Sequence, residues 1–181
     1  CRVDTVVMTE NESDSSAFLA FDTALALEGA TRILARRGQV YDLGDGMMGS
    51  TTLTILFPDH DASGMESNTA SIVARLVYGE SEYLLTGDSP ISIEEYLVAL
   101  DGSGLQSDVL KLGHHGSDTS TSDVYLTAVN PIVAIISAGK DNDYGHPHKA
   151  VLDRLLVHGV TYKNTADLGS IVFVSDGRET W

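Results

Sequence analysis

Cysteine is all but missing from this chain: among 181 residues the only one is Cys1. A disulfide framework and a cysteine-based zinc site are therefore both excluded. Basic charge is scarce as well, with 11 Lys and Arg against 26 Asp and Glu and a net charge of −15. Proteins that grip many phosphates do so with lysines and arginines that displace condensed counterions. A broad basic nucleic-acid surface is excluded, and any action on nucleic acid must pass through a local site, with metal charge as one source of attraction. The deficit is uneven. Residues 1–110 hold 5 basic against 18 acidic side chains (−13), and residues 111–181 hold 6 against 8 (−2). Long apolar runs are also lacking: none approaches the roughly 18 residues that span a bilayer.

What remains is an apolar fraction of 43%, which suits one globular domain over residues 1–181 with a core of ordinary size. The chain opens on Cys and not Met and passes at once into the strand-like Val3 to Thr9, which reads as a fragment of a longer chain. The polar stretch Glu10 to Ser16 reads as a strand-to-helix loop, with Ser13, Asp14 or Ser15 capping a helix over 17–27 that ends near Gly29. Strands are predicted over 40–43, with a tight turn at Gly44-Asp45-Gly46, and over 52–57. Two more, 72–78 and 83–85, are joined as a hairpin through Gly79-Glu80. Helices are predicted over 90–100, 123–129 and 150–157, and strands over 109–112, 131–137, 160–162 and 171–174. Strands alternating with helices and hairpins point to a layered α/β fold with a mixed sheet.

Three of the apolar strands run out into glycine and a metal-competent side chain: Leu84-Leu85-Thr86-Gly87-Asp88, Leu110-Lys111-Leu112-Gly113-His114-His115-Gly116-Ser117, and Ile135-Ile136-Ser137-Ala138-Gly139, which leads to Tyr144-Gly145-His146-Pro147-His148. Imidazole and carboxylate held at strand ends are the donors that a di-metal hydrolase needs. Asp88 has a competing role as N-cap of the helix from Pro90, and Ser117 to Ser122 as caps of the next helix. His158 reads as a residue of a helix C-terminus, and His60 as an exposed bystander.

The blocks LLTGD at 84–88, SDVLKLGHHGSDTSTS at 107–122 and SAGKDNDYGHPHKAVLDRL at 137–155 resemble the metallo-β-lactamase-like domain of the ComEC/Rec2 competence proteins. The resemblance runs from about residue 38 to 177 and includes ESNTASIVARLVYGESEYLLTGD at 66–88. It implies an αββα sandwich of two mixed sheets, N-terminally truncated here, and a metal-dependent hydrolase of the phosphodiesterase or nuclease type in DNA uptake. It implies Zn or Mn, two ions in the full-length protein. Asp88, His115 and His146 would be metal ligands, and His114 and His115 the catalytic pair, with one of them protonating the leaving oxygen and His115 inward. His148 is a second candidate at the same turn. Nucleic acid is the implied substrate. Membrane segments elsewhere in a longer chain and an extracytoplasmic location are implied if the domain belongs to a competence channel; a free-standing relative would be soluble.

The departures matter. The superfamily's His-x-His-x-Asp-His block is not in the chain, and the fragment reading places it upstream. Residues 9–15, Thr-Glu-Asn-Glu-Ser-Asp-Ser, are the other place for it, with its histidines replaced. Asn68 stands where many members carry another histidine. Two alternatives follow: a catalytically silent module of the same fold in uptake or assembly, and a hydrolase of lactones, thioesters or cyclic nucleotides.

Overall fold

The computed structural model describes residues 2–47 and 49–181; Cys1, on which the fragment reading rested, lies outside them. Polar and glycine punctuation sets the first element. Ser15 accepts the Phe18 N–H at 3.1 Å to begin α1 (Ser16–Glu28), and Gly29 closes it in the left-handed region. This helix connects β1 (Thr5–Met8) to β2 (Thr31–Leu34), which pair in parallel with Thr5 opposite Thr31. The second of these strands was not predicted: four residues, Thr-Arg-Ile-Leu, carry too short a pattern to be read.

The main sheet has seven strands in the order β3 (Val40–Gly46), β4 (Gly49–Phe57), β5 (Val73–Tyr78), β6 (Ser81–Leu85), β7 (Val109–Lys111), β8 (Val133–Ile136) and β9 (Thr161–Asn164). The first four are antiparallel neighbours, and β6 to β9 run parallel. Here β3 runs on through Gly44-Asp45-Gly46, where a turn was expected, because a register shift between Asp42 and Asp45 absorbs the glycines as a bulge. The β5–β6 hairpin forms as read, Tyr78 opposite Ser81. Residues 171–174 join no named strand; a single bridge, Ser175 to Thr180, forms beside them, and Val174 and Trp181 exchange N–H···O bonds of 3.0 Å.

Between the parallel strands lie α2 (Ile91–Asp101), α3 (Asp123–Val129) and α4 (Lys149–Val157), with α5 (Thr165–Leu168) after β9. Ile93 and Leu97 of α2, Tyr125 and Val129 of α3, and Val151 and Leu155 of α4 share one core with Val73, Leu84, Leu110 and Ile136 of the sheet. Each large apolar side chain so buried contributes about 1.5–3 kcal/mol. On the other face Val7 of β1 and Ala35, just after β2, pack with Ile55 and Ala74. The fold is thus layered α/β, as expected, around a mixed sheet. The second sheet among the described residues is a parallel pair, where the resemblance implied a mixed one. No helix among the described residues is long and apolar enough to cross a membrane.

Candidate metal and catalytic site

Parallel pairing decides where the chemistry gathers. The strands β6, β7 and β8 are in register, Leu85 beside Lys111 beside Ile135, so their C-terminal ends open on one edge of the sheet. Each chain then leaves the sheet within three residues, which brings Asp88, the His114-His115 pair and residues 137–139 to that edge. Ligand sites in sheets of this kind form outside the carboxyl ends of parallel strands.

Asp88 follows a turn that only glycine makes easily. Gly87 has φ of +56°, and a Cβ there would stand 2.8 Å from Ser71 Cβ. The Asp88 N–H donates to Ser71 Oγ at 2.9 Å, and the Ser71 N–H donates to Asn68 O, which ties Asn68 to this turn through the backbone. The competing capping role disappears: α2 has Pro90 at its N-cap position and no side-chain cap bond. The carboxylate is left directed at two cations or donors, Lys111 Nζ at 3.8 Å and His115 Nε2 at 3.6 Å.

The two histidines are held in the left-handed region, with φ of 45° for His114 and 59° for His115. For residues with a Cβ this costs about 1–2 kcal/mol each, and such strain collects at functional sites. Substituting His114 by glycine is therefore expected to raise stability by about 1 kcal/mol, although it deletes a side chain. Chemical unfolding checks this, and a lowered midpoint would show that the imidazole contacts outweigh the strain.

The His115 ring is oriented by the neighbouring strand end: its Nδ1 lies 2.6 Å from Ser137 O, so Nδ1 donates there and Nε2 faces Asp88. The four rings of His114, His115, His146 and His148 cluster, with His114 and His146 centroids 5.5 Å apart, His115 and His146 6.3 Å apart, and His146 and His148 4.8 Å apart. Burial lowers the pKa of His146, and the neighbouring His148, His114 and His115 push it the same way against Asp118, which favours the neutral ring that a metal ligand needs. The ring nitrogens of His148 are both engaged: Nδ1 accepts the Asp118 N–H at 3.1 Å, and Nε2 lies 3.2 Å from Tyr144 O. His148 thus braces its own loop. His158 closes α4 as its C-cap, with Nε2 3.0 Å from Asp123 Oδ1, and His60 is exposed beside Asp59.

Two residues at this edge were not singled out from the sequence. Lys111 donates to Gly87 O at 2.8 Å and Leu112 O at 3.0 Å, which clasps the ends of β6 and β7 together. Burial lowers its pKa, and the Asp88 charge opposes that shift. The signal available was a lysine inside an otherwise apolar run. Asn142 grips His146 from both sides: its Oδ1 accepts the His146 N–H at 2.9 Å, and its Nδ2 donates to His146 O at 2.7 Å and Gly139 O at 2.9 Å. An Asn in a turn-rich stretch is the usual source of such local bridges.

The geometry bears on metal binding directly. Two donors on one tetrahedral zinc, each roughly 2.1 Å from it, stand roughly 3.4 Å apart, close to the 3.6 Å between His115 Nε2 and Asp88 Oδ2. That pair fits two positions of a metal site. Among the described residues no group of three or more His, Cys, Asp or Glu is arranged to hold an ion. Residues 9–15 form the β1–α1 connection. There Glu10 pairs with Arg36 and accepts the Ala62 N–H at 3.3 Å, and the Asn11 amide donates to Met65 O at 3.1 Å.

No family model matches the chain. It is 42% identical over 113 residues to competence protein ComA of Neisseria gonorrhoeae, which covers 62% of this chain and 16% of that protein. It is 33% identical over 146 residues to ComE operon protein 3 of Bacillus subtilis, 81% of this chain and 18% of that protein. To recombination protein 2 of Haemophilus influenzae it is 39% identical over 117 residues, 65% and 14% of the two chains. The chain thus spans less than a fifth of the length of these relatives. They support a competence protein, and their names say nothing of a hydrolase.

Proposed function

We propose, from this similarity to competence proteins, that the chain is the hydrolytic domain of a DNA-uptake protein. In this reading it is a metallo-β-lactamase-type phosphodiesterase that cleaves DNA, and a longer protein carries it on the extracytoplasmic side of a bacterial membrane. The observation that carries the reading is the Asp88–His115 pair at ligand spacing, with the His115 ring fixed by Ser137 so that Nε2 faces the carboxylate. Asp88 and His115 would hold a divalent ion, Zn or Mn, with His146 assigned as a further donor. Such an ion supplies Lewis-acid charge to a phosphoryl oxygen and a more acidic water.

The chain's own residues do the rest. Asn142 fixes the loop that presents His146. Lys111 draws the Asp88 and His114 strand ends together and adds one positive charge to a site that must meet a phosphodiester. His114 is assigned to protonate the leaving oxygen: its Nδ1 is 3.3 Å from Thr119 Oγ1, an orienting contact.

A second reading, a catalytically silent module of the same fold, draws on a different observation. The Lys111 ammonium already balances Asp88 at 3.8 Å. The strand-to-helix connection at 9–15 carries Glu10, Glu12 and Ser15 where the superfamily block would carry histidines, and Glu10 is committed to Arg36. Metal titration separates the two. The purified protein should take up Zn or Mn saturably and cleave single-stranded DNA in a reaction that a chelator stops. A folded protein that binds neither ion and leaves DNA intact would leave only the silent module.

A further inference from the structure

A cavity of about 410 Å3 opens beside the imidazoles, between His115 and His146, with residues 137–139 as its floor and Tyr144 at its rim. That volume is in the range of small-ligand sites. Four of the floor's backbone polar groups are already used within the wall. Ser137 O faces His115 Nδ1, the Ala138 N–H and carbonyl both bond to Thr165 Oγ1 at 3.0 and 2.9 Å, and Gly139 O accepts from Asn142. No lysine or arginine is among the described residues that line it. Such a wall presents no lysine or arginine to a phosphate, and it presents the rings of His115, His146 and Tyr144 to a flat group. Tyr144 has 78% of its surface exposed, and its ring lies 20° from parallel to His146 with centroids 5.7 Å apart.

The charge of the chain sharpens the point. At −15 it has no broad basic surface with which to hold a polyanion. Stacking of bases on aromatic rings needs no positive charge and works on every base, but it requires that the base be unpaired. We propose that this cavity is a nucleobase subsite: Tyr144 stacks one unpaired base of a single-stranded nucleic acid and sets the adjoining phosphodiester against the Asp88–His115 edge. The subsite rests on the phosphodiesterase reading and adds to it the recognition of an unpaired base.

The test compares a short oligothymidylate with an abasic strand of equal phosphate count. Both carry a phosphorothioate backbone that resists cleavage, and binding to the metal-loaded protein is measured by fluorescence anisotropy. The base-bearing strand should bind roughly tenfold or more tightly, and Tyr144→Ala should erase that difference while Tyr144→Trp keeps it. Gly139→Val provides an independent variant: its Cβ would meet no atom within 4 Å, and the added bulk on the cavity wall should also erase the preference. Equal binding of the two strands by the wild type overturns the subsite, as does a base preference that survives both Tyr144→Ala and Gly139→Val. Cleavage of an ordinary phosphodiester oligothymidylate reports the chemistry separately. Cleavage without base preference removes the subsite alone, and base preference without cleavage removes the catalytic reading alone.

Discussion

Asp88→Asn is expected to reduce metal-dependent DNA hydrolysis by on the order of 100-fold or more, beyond the roughly 10–100-fold typical when a group that only orients a ligand is changed. The amide keeps the shape of the carboxylate but loses the charge that binds a cation. Little of the effect should come from folding. The bond that the Asp88 backbone N–H donates to Ser71 Oγ survives the substitution, and the Gly87 turn is untouched. The ion pair lost to Lys111 is 3.8 Å long and partly exposed, a class worth about 0–1 kcal/mol. The thermal midpoint should therefore stay near wild type while metal uptake and cleavage fall together. His115→Ala should behave alike in cleavage, since it removes the Nε2 that faces Asp88. Cleavage at the wild-type rate in a folded Asp88→Asn protein would remove this carboxylate from the mechanism.

The largest effect on stability is expected at the buried Glu94. Its side chain is on α2, 1% exposed, and accepts the N–H groups of Thr121 at 2.5 Å and Ser122 at 2.8 Å. Those residues end the hydroxyl-rich loop that follows the paired histidines, and Thr121 is itself held at φ of 62°. Arg154 of α4 donates to the Ser120 and Thr121 carbonyls from the other side, at 3.1 and 3.0 Å. Glu94→Ala strands two buried donors and should cost about 3 kcal/mol, read as a lower urea midpoint at unchanged slope. A change under about 0.5 kcal/mol, ordinary for a surface site, would show that the loop finds other acceptors.

Glu94 also sets a pH dependence. Burial raises its pKa above the ordinary 4.5, against the pull of the Ser122 and Thr121 N–H groups. With a raised pKa the folded protein keeps a proton that the unfolded chain has already released. The stability from this group is full below the unfolded value and is lost as pH rises through the folded one. The margin of the wild type over Glu94→Gln, which cannot titrate, should shrink as pH climbs above 4.5. A margin that widens over that interval would reverse the sign of the burial effect.

Much of the candidate site was readable because its signals are local. A strand that ends in glycine followed by aspartate or histidine is written in consecutive residues, and so are the Ser15 and Ser122 caps of α1 and α3. The partners were not readable. Glu94 finds its acceptor role 27 and 28 residues away, and Lys111 reaches back 24 residues to Gly87 O. Nothing in the pattern of either segment records those distances. Asp88 had two roles open to it, and a local argument favoured the cap; the position of Pro90 at the start of α2 decided against it.

The sequence alone determined the layered α/β class, most element positions, the scarcity of basic charge and the residues that end the strands. Periodicity, turn chemistry and composition act over a few residues and survive without coordinates. Only the tertiary structure decided that β6, β7 and β8 lie parallel and in register, that His115 faces Asp88 while His148 braces its own loop, and that β1 and β2 form a separate parallel pair. Those outcomes depend on strand order and side-chain direction across the sheet, which packing of the whole chain sets and no short stretch encodes.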